Sequence, residues 1–177
     1  MSRISIFSLM AYMTLGVALL PAGAFGQEKP LREQLIGTWL QVSIDGTFPD
    51  GTKRQLFGPN PKGMLIYTSD GYFSLMQSRA DLPKLESSNR ATATAEEAKA
   101  VVAGSISYYG KYLVEEGSKV VSIDIQGSTF ANQIGSPVDN KRIITSLAGN
   151  ELKLTNPGSA SGLKLELVFK RANGLAQ

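Results

Sequence analysis

The chain has no cysteine and no histidine in 177 residues, and only one tryptophan. Without cysteine no disulfide can staple the fold, so the hydrophobic core must hold it alone. Zinc, copper or haem sites built on His or Cys are excluded, and so are Ser-His-Asp and Cys-His catalysis. An imidazole switch near neutral pH is excluded as well. Any chemistry would fall to carboxylates, Tyr, Lys, Arg or the bound ligand itself. A block of like charge is also missing. The 18 Lys and Arg are interleaved with 15 Asp and Glu, for a net charge of +3. No basic stripe of the kind that tracks phosphates appears, so no nucleic-acid partner is expected, and the residue types call for no metal and no cofactor.

What is present begins with an export-signal pattern over residues 1–26. Arg3 is a short positive start, Ile4 to Leu20 is apolar, and Pro21-Ala22-Gly23-Ala24-Phe25-Gly26 supplies a helix breaker and small residues. Ala24 and Gly26 suit a cut before Gln27, with a second option after Ala24. A permanent anchor is the alternative. The apolar run is at the short end for a span of roughly 20 residues, and no basic cluster follows it. The expectation is therefore an exported protein, periplasmic or secreted, with no membrane anchor once the signal is removed. Removing 26 of 177 residues leaves 151, which suits one domain with its own core.

Residues 27–34 read as a polar lead-in and 172–177 as a polar tail. Between them, over 35–171, a period-2 pattern dominates. Leu40, Val42 and Ile44 alternate with polar neighbours. Lys53 to Phe57 can form a short strand, stopped by Gly58-Pro59-Asn60-Pro61. Gly63 to Thr68 and Tyr72 to Gln77 form a hairpin about Ser69-Asp70-Gly71, where glycine supplies a positive φ. Ile106 to Val114 places Ile106, Tyr108, Gly110, Tyr112 and Val114 on one face, and Val120 to Gln126 returns with Val121, Ile123 and Ile125 on one face. Ser128 to Ile134 reads as an irregular strand or a crossing. Strands at 140–147, 151–155 and 163–171 follow. The one clear helix opens on Thr94-Ala95-Glu96-Glu97, a capping-box pattern, and ends at Gly104.

This makes an all-β chain of roughly eight to ten strands with one short helix near 94–103. Short turns and one apolar face per strand predict a small antiparallel up-and-down barrel, whose closure removes exposed edges. A small outer-membrane barrel shares this alternation. Short strands, the lack of a double aromatic girdle and the polar tail favour the soluble form.

The order and spacing of several segments are similar to the bacterial and fungal lipocalin-like domain family. They are Gly37-Thr38-Trp39, the hairpin Gly63 to Ser74, Tyr109-Gly110-Lys111-Tyr112, Gln126-Gly127-Ser128, Phe130 to Gly135, Arg142, and Glu151 to Leu154. The resemblance covers about residues 35 to 171. It implies a lipocalin-like barrel with a cavity for a hydrophobic small molecule. Two departures stand out: Ser122, Ile123 and Asp124 occupy a strand where members often carry histidine, and Gln133 stands where a tryptophan commonly follows the asparagine matched by Asn132.

Trp39 is expected to plug the closed end of the barrel rather than to stack on a ligand. Leu40, Val42 and Ile44 point one way while the family pattern turns Trp39 inward, a conflict that a bulge would reconcile. Tyr67, Phe73, Tyr108 and Tyr112 are candidates to line the cavity, with ordinary sheet core as the alternative for the last two. Asn132 could fix a ligand or cap backbone groups. Arg142 could hold an anionic ligand group bidentately. Lipocalin-type barrels often use an arginine to cover the plug tryptophan, and on that pattern Arg142 is expected across Trp39. Asp124 is on the polar phase of its strand, yet would be a candidate base if buried.

The leading expectation is a barrel that binds a small hydrophobic molecule in its interior. The alternative is a cofactor-free isomerase or cyclase of the same fold, which needs Asp124, Tyr108 and Arg142 to meet inside. A structural protein with a filled barrel is a third reading.

Overall fold

A computed structural model of the chain describes residues 29–172. The export signal expected at 1–26 and its cut sites lie outside the described residues, as does the tail beyond Ala172. In chain order the elements are α1 (Leu31–Leu35), β1 (Gly37–Thr47), β2 (Lys53–Gln55), β3 (Lys62–Tyr67), β4 (Tyr72–Ser78), α2 (Ala95–Gly104), β5 (Ser105–Glu115), β6 (Val120–Ser128), β7 (Lys141–Ala148), β8 (Glu151–Asn156) and β9 (Lys164–Arg171). Short 3-10 turns occupy Arg90–Thr92 and Ala131–Gln133.

Every strand pairs antiparallel with its neighbour in the order β2-β1-β3-β4-β5-β6-β7-β8-β9, and β9 pairs back onto β1. Eight strands thus close a barrel, and β2 adds a short ninth strand on the free edge of β1, opposite Asp45 to Thr47. The closure leaves few open edges.

Alternation explains most of the wall. On β5, Tyr108, Gly110 and Tyr112 face inward while Tyr109, Lys111 and Leu113 face out. Gly110 is required there: a Cβ on it would lie 1.8 Å from the Asp124 carbonyl oxygen, beside a register shift between β5 and β6. The β3–β4 hairpin turns through Gly71, whose φ is +91°. On β1 the simple apolar alternation is corrected. Trp39 and Gln41 face in, Leu40 and Val42 face out, and Ile44 faces in again. Pairing steps from Gln41↔Phe169 to Ser43↔Val168, so Val42 is one residue too many and the phase flips there.

The helix opens with a full capping box. Glu97 N–H donates to Thr94 Oγ1 at 3.2 Å, and Thr94 N–H to Glu97 Oε2 at 2.8 Å. The segment after β6 is a 3-10 turn, not a strand.

One end of the barrel is closed at the start of β1. Trp39 is fully buried and donates its indole N–H to Leu35 O at 2.8 Å, which ties it to α1. The first backbone amides of α1, Leu31 and Arg32, are in turn held by the Glu116 carboxylate at 2.8 and 3.1 Å. The arginine over the indole is Arg171, 4.1 Å from the ring centre, and not Arg142. Barrel closure makes Arg171 the cross-strand partner of Trp39, whereas Arg142 pairs with Val121 farther round the wall.

Candidate ligand site at the barrel mouth

The second end of the barrel gets its character from a gap. Pairing between β6 and β7 covers only Val120↔Ile143, Val121↔Arg142 and Ser122↔Lys141. Above that point β6 runs on without a strand on that side. The chain crosses through the 131–133 turn and comes back down to Asn140, whose carbonyl accepts from Ile123 N–H at 2.8 Å. This return carries Asp139 into the barrel, where only 1% of its surface stays exposed.

Asp139 is the hub of a buried polar cluster. Its Oδ1 accepts from Arg142 Nη2 at 3.0 Å and from Asn156 Nδ2 at 2.7 Å. Its Oδ2 accepts from Gln133 Nε2 at 2.8 Å and from Ala160 N–H at 3.4 Å. Gln133 is steadied by Ser128 Oγ, which donates to its Oε1 at 2.9 Å. Arg142 is 5% exposed. Beyond Asp139, it donates to Lys141 O at 2.8 Å and to the Tyr108 hydroxyl at 3.1 Å. Burial alone would push the guanidinium down, but Tyr108 and Asp139 outweigh it and hold it above its ordinary value. The pair is electrically neutral, and its desolvation is offset by this dense set of hydrogen bonds.

The four aromatic candidates form one buried column that leads to this cluster. Tyr112 packs edge-on to Tyr67 at 4.7 Å, Tyr67 lies 6.4 Å from Phe73, and Phe73 meets Tyr108 edge-on at 5.9 Å. Tyr112 donates its hydroxyl proton to Thr68 O at 2.8 Å. Burial drives the Tyr67 phenol far above its ordinary range, an effect that nearby Arg142 partly offsets. Tyr112 is raised too, again by burial.

These rings fill the barrel rather than line a large hollow. The space among Tyr67, Phe73, Tyr108 and Arg142 measures about 10 Å³, near the minimum for one water. A second cavity of about 120 Å³ lies above them at the mouth. Its walls include Ile44, Leu56, Phe57, Phe130, Leu163 and Leu165, and its polar side carries Tyr108, Arg142, Asp139 and Asn156 together with Gln77, Gln133 and two serines. Tyr108 and Arg142 border both spaces and so separate them. A groove of about 670 Å³ also exists on the outside of the barrel, around Arg32, Asp70, Lys111 and Asp124. It is larger, and its lining mixes Leu113, which is 74% exposed, with the buried Tyr112 and Ile123.

Of the residues singled out in sequence, Tyr108 and Arg142 meet at the mouth, while Tyr67, Phe73 and Tyr112 belong to the packed column beneath. Asn132 is exposed on the 131–133 turn, and its neighbour Gln133 is the inward group. Asp124 is exposed on the outer face, as its strand phase implied. Asp139, Gln133 and Asn156 were not anticipated. The single available signal was Gln133 at the position of a common family tryptophan. Among the described residues, no group of three or more Asp or Glu comes together in a way that could hold a metal ion. No helix among them is long and apolar enough to cross a membrane.

A family model described as a lipocalin-like domain matches residues 36–172. No curated protein matches the chain. Similar solved structures include a de novo designed fluorescence-activating β-barrel, at 10% identity and a TM-score of 0.40, covering 81% of this chain and 99% of that one. A redesigned β-barrel is similar at 18% identity and a TM-score of 0.39, covering 80% of this chain and 95% of that one.

Proposed function

The chain belongs to the lipocalin-like domain family, and from that premise we propose that it is a binding module for a small, mainly apolar molecule seated at the barrel mouth. The observation that carries this reading is the 120 Å³ cavity walled by Leu56, Phe57, Leu163 and Leu165 beside a buried Arg142–Asp139 pair. Its size bounds the ligand. A dry cavity of about 150 Å³ lined by apolar side chains takes benzene, so this one suits a body of roughly five or six heavy atoms. A lipid-sized guest needs about 300 Å³ or more, which the packed interior does not offer. The hydrophobic-ligand expectation is therefore kept, with the site moved from the interior to the mouth.

The filled-barrel reading accounts for the aromatic column but leaves the mouth cavity unused. The isomerase reading needs a base beside Tyr108 and Arg142. Asp124 is outside the barrel, and both oxygens of Asp139 are already engaged. Binding without chemistry is what the residues at the mouth support. The leader pattern at 1–26 supports export, and so a periplasmic or secreted setting for this binding.

The test is thermal unfolding with cyclopentane and methylenecyclopentane. Ligand that binds only the folded state raises Tm in proportion to its saturation. Both compounds should raise Tm, and Leu163→Trp, which fills the mouth, should abolish the shift. No shift with either compound would refute a binding mouth.

A further inference from the structure

The polar side of the mouth is unevenly furnished, and that unevenness selects a ligand class. Asp139 uses both carboxylate oxygens on four donors. Gln133 Oε1 is occupied by Ser128, and Asn156 Oδ1 accepts from Gly158 N–H at 3.2 Å. The acceptors of the Asp139 cluster are thus engaged, while Gln77, which also lines the cavity, gives its amide N–H to Gln41 Oε1 at 2.7 Å and keeps its own carbonyl oxygen without a donor among the described residues. Tyr108 differs. Its oxygen accepts from Arg142 Nη2, and its own hydroxyl proton has no acceptor among the described residues. A phenol whose oxygen is held by a guanidinium is a stronger donor, because hydrogen bonds in a chain polarise one another at low local dielectric.

Charge decides between the two kinds of acceptor a ligand could bring. Arg142 is neutralised by Asp139 in direct contact, at 3.0 Å, and both are almost wholly buried. An entering carboxylate would add a second negative charge beside Asp139 with no cation left to balance it. A neutral oxygen incurs no such cost and still completes the Tyr108 hydrogen bond.

We infer that the mouth recognises a small neutral carbonyl compound, a cyclic ketone or a molecule of like size, whose oxygen accepts the hydroxyl proton of Tyr108 while Arg142 polarises that hydroxyl. This rests on the mouth being the binding site. Arg142 acts here as a positioning residue, since it reaches the ligand through Tyr108.

Cyclopentanone and methylenecyclopentane test it, because they share a ring and differ in the group offered to Tyr108, and isobutyrate adds a carboxylate of a size the cavity admits. Dissociation constants are measured for the wild type and Tyr108→Phe, together with the carbonyl carbon resonance and the carbonyl stretch of bound cyclopentanone. The expected results are binding of cyclopentanone that weakens roughly tenfold in Tyr108→Phe, and methylenecyclopentane binding that stays unchanged. Isobutyrate should bind more weakly than the ketone. In the wild type alone, which needs no variant to fold, the bound carbonyl carbon is expected downfield, and its stretch at lower frequency, than for the same ketone in an alkane solvent that donates no hydrogen bond. Ketone binding with neither spectral shift, or carboxylate binding tighter than ketone, overturns the inference and leaves the mouth as an apolar site. Failure of all three to bind overturns the mouth itself.

Discussion

Trp39 and Arg171 are direct partners across the seam where β1 meets β9, with the guanidinium carbon 4.1 Å from the centre of the indole. The same arginine donates to Ile36 O at 3.0 Å and to Gln34 O, so one side chain joins the last strand, the plug and the chain leading out of α1. The indole face favours a cation, and the carbonyls at the end of α1 gain charge-assisted partners.

Arg171→Met should therefore lower stability by about 1–3 kcal/mol, through loss of the cation over the ring and of two hydrogen bonds. The single tryptophan makes fluorescence a clean readout: its emission should shift to the red. Arg142→Met, measured in the folded state, should leave the emission unchanged. A shift in the second variant and none in the first would reverse the assignment of the covering arginine.

Asp139→Ala should cost about 3–5 kcal/mol, because it strands the Arg142 charge and the Asn156 and Gln133 amides in a buried place. Adding Arg142→Met to it should restore part of the loss, since the uncompensated charge goes. Denaturant melts of the two single variants and the double variant measure this. A double variant weaker than Asp139→Ala by the full cost of Arg142→Met would contradict a coupled pair.

Stability should be flat across neutral pH, because no His or Cys is present to titrate there. The tyrosines set the alkaline limit. Burial raises the Tyr67 phenol above its unfolded value, so the folded state favours the neutral form. The stabilisation is complete below the unfolded pKa, about 10, and is lost as pH climbs from there toward the folded value. Tm should fall above about pH 10, and Tyr67→Phe should flatten part of that fall. An alkaline slope identical in Tyr67→Phe would refute the role of Tyr67.

Gly110→Ala should be severe, with a loss of several kcal/mol or failure to fold, since its methyl would press on the Asp124 backbone oxygen at 1.8 Å. Gly117→Ala meets nothing within 4 Å and should stay within about 0.5 kcal/mol of the wild type. Comparable losses in the two would contradict the close β5–β6 approach.

What could be read from sequence was local. The β5 alternation, the Gly71 turn and the Thr94–Glu97 capping box each depend on residues a few positions apart, and each forms where its pattern stands. The plug role of Trp39 came from a family pattern. Its arginine did not, because the choice between Arg142 and Arg171 depends on the register in which the first and last strands close. That register is set by the whole barrel and by the extra residue Val42. Asp139 was invisible for a related reason. It sits in a loop without periodicity and becomes a hub only because β6 and β7 part after three pairs.

Mapping amide and indole resonance shifts as methylenecyclopentane is titrated into the protein decides where the ligand seats. Shifts are expected at Leu56, Phe57, Leu163 and Leu165, with the Trp39 indole N–H and the outer groove at Asp70, Leu113 and Asp124 unmoved. Shifts centred on that groove or on the Trp39 end, with the mouth silent, would contradict a ligand seated at the mouth.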